Sequence, residues 1–163
     1  MRPSVTRPGG GADGGAIRIR RATARDAKRL TRLVRTSRAY EGPYAPMVAG
    51  YRVGPDYIET HQVFTAVEPG TDRIVGFYSL VLAPPELDLM FVADDAQGLG
   101  IGRLLIGHLR EEALRAGLTG VRIVSHPPAE GFYRSVGARP TGTLAANPPA
   151  VMWDRPELLL PIA

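Results

Sequence analysis

Three glycines alternate in Gln97-Gly98-Leu99-Gly100-Ile101-Gly102, between a strand-like stretch ending at Val92 and a stretch of helical periodicity. Glycine has no Cβ, so such a turn can curl and bring its backbone N–H groups close to an anion. The free N–H groups and positive dipole end of the following helix favour the same charge. The chemistry on offer is diphosphate binding. A nucleoside-triphosphate loop would enter its helix through Gly-Lys-Ser/Thr, whereas this one reads Gly102-Arg103-Leu104, which argues against that class. A dinucleotide loop would need a different glycine spacing, beginning at Gln97 or Gly98, and a crossover fold. On its own the segment is either an anion cradle or a tight strand-to-helix turn.

The elements that must position this loop follow from periodicity. Ile17-Arg18-Ile19-Arg20 alternates as a half-buried strand, and Thr23 with Asp26 forms an N-terminal helix signal ahead of Ala27, Leu30, Leu33 and Val34. Pro55 opens a short helix reaching about His61. Residues 62–67 and 74–82 read as strands joined by a turn at Glu68-Pro69-Gly70-Thr71-Asp72, an antiparallel hairpin. Residues 86–92 place Leu87, Leu89 and Phe91 on one face and Glu86, Asp88, Met90 and Val92 on the other. Ile101, Leu104, Leu105, His108, Leu109 and Leu114 then recur at helical spacing up to a stop at Gly117. A buried strand over 121–125, a brief helix bearing Phe132 and Tyr133 and ended by Gly137, and strands around 139–144 and 150–153 complete the chain. This order predicts an α+β sheet with helices on both faces.

Composition narrows the class. The 163 residues, 44% apolar, can bury one core, and the expected organisation is a flexible Gly-rich leader over 1–16 and a single domain over 17–163. The absence of cysteine excludes disulfides, thiolate nucleophiles and Cys-based zinc sites, and His61 and His108 lack spaced partners, so no metal is expected. Arg2 and Arg7 precede no apolar segment, and no apolar run approaches the ~20 residues that cross a bilayer. The expectation is a soluble, cytoplasmic protein without a membrane partner. A net charge of +4, carried mostly by arginine, suits an anionic ligand; the scattered arginines carry no interleaved aromatics, which argues against nucleic acid.

Gln97-x-x-Gly100-x-Gly102 resembles the (Gln/Arg)-x-x-Gly-x-(Gly/Ala) signature of the GNAT N-acetyltransferases, with strand and helix where that family has them. Residues 129–138, a helix bearing Phe132-Tyr133 and ending at Gly137, resemble the family's second landmark. The likeness covers about 17–143. It implies the acyl-CoA N-acyltransferase fold, a mixed, mostly antiparallel twisted sheet of about six to seven strands flanked by helices. It also implies transfer of an acetyl group from acetyl-CoA to an amine. A non-catalytic acyl-CoA sensor on the same fold is the alternative, and a homodimer is left open.

The resemblance also assigns roles. Residues 86–92 would diverge from 121–125 and open a crevice for pantetheine, held by backbone at Met90 and Val92, with Phe91 among the cofactor-binding residues and the Met90 N–H polarising the acetyl carbonyl. Gln97, Gly98, Leu99, Gly100, Ile101, Gly102 and Arg103 would hold the diphosphate. Tyr133 would protonate the departing thiolate, since a phenol with pKa ~10 keeps its proton until then. Glu86 stands where some relatives carry a general base acting on the ammonium acceptor through water, with Asp88 nearby. His126 replaces an asparagine that contacts pantetheine in many relatives; it either substitutes as a donor or merely ends the strand before Pro127. Tyr40, Tyr44, Tyr51 and Trp153 either line an acceptor pocket or belong to the core.

Overall fold

The computed structural model describes residues 16–162, so the leader expected over 1–16 lies, but for Ala16, outside the described residues. Strand β1 (Arg18–Arg21) leads through a single 3-10 turn into helix α1 (Ala27–Arg35). Asp26 fixes that corner: its buried carboxylate accepts from Arg20 at 2.9 and 3.0 Å, from Arg29 at 2.7 Å and from the Thr23 amide at 2.9 Å. Two 3-10 segments, Arg38–Tyr40 and Gly42–Met47, then lead to α2 (Pro55–Thr60).

Strands β2 (Gln62–Val67), β3 (Ile74–Leu82) and β4 (Pro85–Val92) form an antiparallel meander, with the first two strands where hydrophobic alternation places them. After α3 (Ile101–Arg115) come β5 (Gly120–Val124), α4 (Glu130–Ser135), β6 (Arg139–Leu144) and β7 (Arg155–Pro161). The seven-stranded sheet runs β1-β2-β3-β4-β5-β7-β6, and only the β4–β5 pair is parallel. Two apolar clusters cover its faces. One joins α3 residues Leu104, Leu105 and Leu109 to Tyr78, Leu87 and Tyr133; the other joins α1 and α2, through Leu30, Val34 and Ile58, to Phe77 and Phe91.

Three expectations are corrected. The segment 150–153 supplies only an isolated bridge between Asn147 and Val151, and the last strand is β7, inserted between β5 and β6. Its signal is masked by Pro156, which forgoes a backbone donor but keeps its carbonyl, and that carbonyl accepts from the Ser125 amide at 3.0 Å. Leu114 is 58% exposed, and Ala113 completes the buried stripe of α3 instead. His108 on that helix lies half-buried with Nδ1 2.8 Å from the Tyr78 hydroxyl, a structural placement as expected.

The third correction bears on the site. Along β3–β4 the register moves from Ser79 opposite Leu89 to Leu80 opposite Leu87, so Asp88 is an unpaired bulge residue. Leu87 therefore packs toward α3 with Met90 and Val92, while Leu89 and Phe91 pack toward α1 and α2. Simple period-two alternation does not survive the extra residue.

Candidate functional site

Strands β4 and β5 are paired only at Glu86 with Arg122 and Leu87 with Ile123. Beyond these pairs they separate, and a cleft of about 330 Å³ opens between them. On the β4 side, the Ala93 amide donates to the Val75 carbonyl at 2.8 Å. Antiparallel alternation then assigns Phe91 to bonding with Phe77, and turns the backbone groups of Met90 and Val92 away from β3 into the cleft. On the β5 side, the Ser125 amide is taken by β7, so Val124 is the residue whose backbone faces across. The cleft is a missing-strand space between two open edges.

At the C-terminal end of β4 the glycine loop closes this space. Gly98 and Gly100 have φ of +82° and +77°, a left-handed backbone that suits glycine. Gly100 is also the residue before α3, whose first-turn amides have no helical partners and point to the loop. The Gln97 side chain donates to the Val92 carbonyl at 3.0 Å and so ties the loop back to the strand. Arg103 lines the cleft in the first turn and reaches Ser135 of α4 at 3.3 Å.

Not every residue singled out in the sequence arrives at this wall. Met90, Val92, Gln97, Gly98, Gly100, Ile101, Gly102, Arg103, His126 and Tyr133 line the cleft, and Phe91 does so in part. Strand alternation directs the Phe91 amide to β3, and its ring is buried against Tyr40, centroids 5.4 Å apart. Leu99 does not line the cleft and is 47% exposed. Glu86 is absent from the wall too: its carboxylate meets Arg122 at 3.4 Å, and Arg122 is also held by Glu157 at 2.5 Å. The carboxylate that does line the cleft is that of Asp88, delivered there by the bulge.

Two cleft residues have distinct electrostatics. Tyr133, buried on α4, has its phenol pushed above the ordinary tyrosine range by burial, with Tyr40 adding to the effect. His126 is buried, and burial lowers its imidazole pKa against the opposing pull of its bond to Ala39, whose carbonyl accepts from Nε2–H at 3.1 Å. Its ring stacks on Tyr40 at 4.0 Å, and Tyr44 meets it edge-on before packing against Trp153. Burial raises Tyr40 to about 12. His126 thus clamps the segment after α1 over the cleft. Tyr57 proves to be the hydrogen-bond partner of Asp88, a pairing that only the folded chain brings together.

Residues 55–145, more than half of the chain, match the acetyltransferase (GNAT) domain family. The chain belongs to that family. This GNAT acetyltransferase is 28% identical over 135 residues to the peptidyl-lysine N-acetyltransferase YjaB of Salmonella typhimurium, covering 77% of this chain and 86% of that one. Its fold is shared by a GCN5-related N-acetyltransferase from Rhodopseudomonas palustris, with a TM-score of 0.76, 17% identity and coverage of 89% and 95%. It is also shared by a phosphinothricin acetyltransferase from Sinorhizobium meliloti solved in complex with acetyl-CoA, with a TM-score of 0.69, 19% identity and coverage of 90% and 89%. Membership makes the chain a transferase. Among the described residues no helix is long and apolar enough to cross a membrane.

Proposed function

We propose that the cleft binds acetyl-CoA and that the enzyme transfers its acetyl group directly to a primary amine in a ternary complex. One observation carries the reading: the unpaired edge of β4, with Met90 and Val92 facing the cleft, runs into a turn of left-handed glycines at the N-terminus of α3. That arrangement fits an extended amide-bearing arm ending in a diphosphate. The arm would take up the edge groups of Met90, Val92 and Val124 as an added strand does, and the loop amides with Arg103 would meet the phosphates. The acetyl-CoA complex of the Sinorhizobium meliloti fold relative supports the same ligand. Acetyl-CoA supplies a thioester that an amine can attack.

The chain's own groups then divide the work. The Met90 N–H, turned into the cleft, donates to the oxygen that gains charge as the amine adds. Tyr133 hands its phenolic proton to the departing sulfur as the C–N bond forms and the C–S bond breaks, and regains a proton from the acylated nitrogen. Burial keeps that phenol protonated until the thiolate appears. The expectation placed on Glu86 is not carried forward, because Arg122 holds its carboxylate outside the cleft wall. A lysine side chain as acceptor is supported by the name of the Salmonella typhimurium relative.

The experiment is to follow free thiol released from acetyl-CoA across a panel of amines while identifying the acetylated product. Amine-dependent thiol release with N-acetylation, and intersecting double-reciprocal lines, are expected. Thiol release indifferent to every amine would sink the reading.

A further inference from the structure

The positive charge of the chain is unevenly spread. Ten of its 20 basic residues and only two of its 16 acidic ones fall within 18–52, whereas elsewhere the acids outnumber the cations. Helix α1 carries the centre of this excess. A groove of about 390 Å³ follows one flank of its outer face, against Ile74 and Ala93, and one of about 510 Å³ follows the other, against Arg52 and Val53. Lys28, Arg32 and Thr36 line both grooves and so form the ridge between them.

Six cations line these grooves, and no carboxylate does. Arg29 is paired with Asp26, and Arg73 with Glu68 and Asp95. Lys28, Arg32, Arg35 and Arg52 are exposed and take part in none of the ion pairs among the described residues. Arg35 is held by neutral groups, the carbonyls of Tyr51 at 2.7 Å and Gly50 at 3.4 Å, so its charge is fixed in place without being cancelled. Like charges one turn apart on a helix repel, and an anionic partner relieves that repulsion.

The groove floors decide which anion fits. They are apolar, with Leu33, Ile74 and Ala93 on one side and Ala27 and Val53 on the other, and no aromatic ring lines either. A polynucleotide would need rings on which its bases stack, whereas an acidic peptide brings carboxylates for the guanidinium groups and apolar side chains for the floors. The ridge also leads to the cleft: Ser37, two residues beyond α1, lines it. Lys28 stands nine positions before Ser37, about 13 Å at ~1.5 Å per residue, a span that about four extended peptide residues cover.

Resting on the transferase reading above, we propose that the outer face of α1 docks an acidic segment of a protein acceptor and so directs the enzyme to lysines that lie close to clusters of Asp and Glu. The ridge acts on encounter and binding. Its contribution therefore lies in KM and is screened by salt.

The test uses the full chain, acetyl-CoA and two blocked peptides, each with a single lysine flanked on both sides by runs of glutamate in one and of glutamine in the other. Thiol release should show a KM about tenfold lower for the glutamate peptide, the scale of a few exposed ion pairs, with kcat within about twofold. Salt at about 0.5 M should shrink the difference to about twofold. Lys28→Glu combined with Arg32→Glu should remove the preference, leave the KM of the glutamine peptide within about twofold and preserve the thermal shift with acetyl-CoA. Should that variant fold poorly, the neutral pair Lys28→Gln with Arg32→Gln reads the same loss. Equal KM values for the two peptides in the wild type, or a preference kept by the variants, overturns the docking surface and leaves the transferase intact. Equal KM values together with inhibition by single-stranded RNA that the variants relieve would give the ridge to nucleic acid instead. Wild-type protein that N-acetylates no amine at all overturns the transferase reading and the docking surface with it.

Discussion

A Cβ built on Gly102 would lie 3.0 Å from Phe132 Cζ and 3.2 Å from Phe132 Cε1, so the first turn of α3 and the helix bearing Tyr133 touch at this pair. Gly102 is therefore a glycine of close approach, while the turn itself depends on Gly98 and Gly100. Gly102→Val should force Phe132 aside and cost about 1–3 kcal/mol, the usual range for overpacking. Denaturant midpoints would measure that loss. Because Tyr133 follows Phe132 on a six-residue helix, kcat should fall further than the stability change explains.

Acetyl-CoA at about 100 times its Kd should add about 2.7 kcal/mol to stability. For a domain of this size the Tm should rise by roughly 5–10 °C. Gly100→Glu puts a side chain on a left-handed φ of +77° and a negative charge where phosphates are to sit, and should abolish the rise. A rise preserved in the variant would remove the loop from the site.

Tyr133→Phe keeps the ring in the core and removes only the phenolic proton. Thiol release should slow by about 10²-fold, within the range of general-acid effects, with the acetyl-CoA thermal shift unchanged. Equal rates in both proteins would assign protonation of the sulfur to water.

The buried Asp26 ties stability to pH. Burial alone would raise its carboxyl, but the hydrogen bonds from Arg20, from the Thr23 amide and from Arg29 outweigh it and hold the group at about 2. The unfolded value is ~3.9, so the unfolded chain binds the proton first on acidification. The stabilisation, roughly 2 kcal/mol, is complete above about pH 4 and is lost as pH falls through about 2. Urea unfolding between pH 5 and pH 2 should show this slope in the wild type and a flatter one in Asp26→Asn.

The glycine loop, the Phe132-Tyr133 helix, the β2–β3 hairpin and the α3 stripe were legible because each is written in neighbouring residues: positive-φ positions, turn chemistry and helical spacing are local properties. The family resemblance rests on two such local landmarks in their order. The last strand was misplaced because Pro156 hides a β pattern whose leucines are buried only against distant partners.

What only the tertiary structure decided is which carboxylate faces the cleft. Glu86 and Asp88 share a strand face under simple alternation, yet one bulge leaves Glu86 beside Arg122 and brings Asp88 to the cleft wall. A bulge is a relation of register between two strands, set by how Leu87 and Leu89 pack on opposite faces of the sheet. The same holds for Tyr57 and His126, whose partners Asp88 and Tyr40 stand 31 and 86 positions away along the chain and meet them only because the sheet and the segment after α1 fold together.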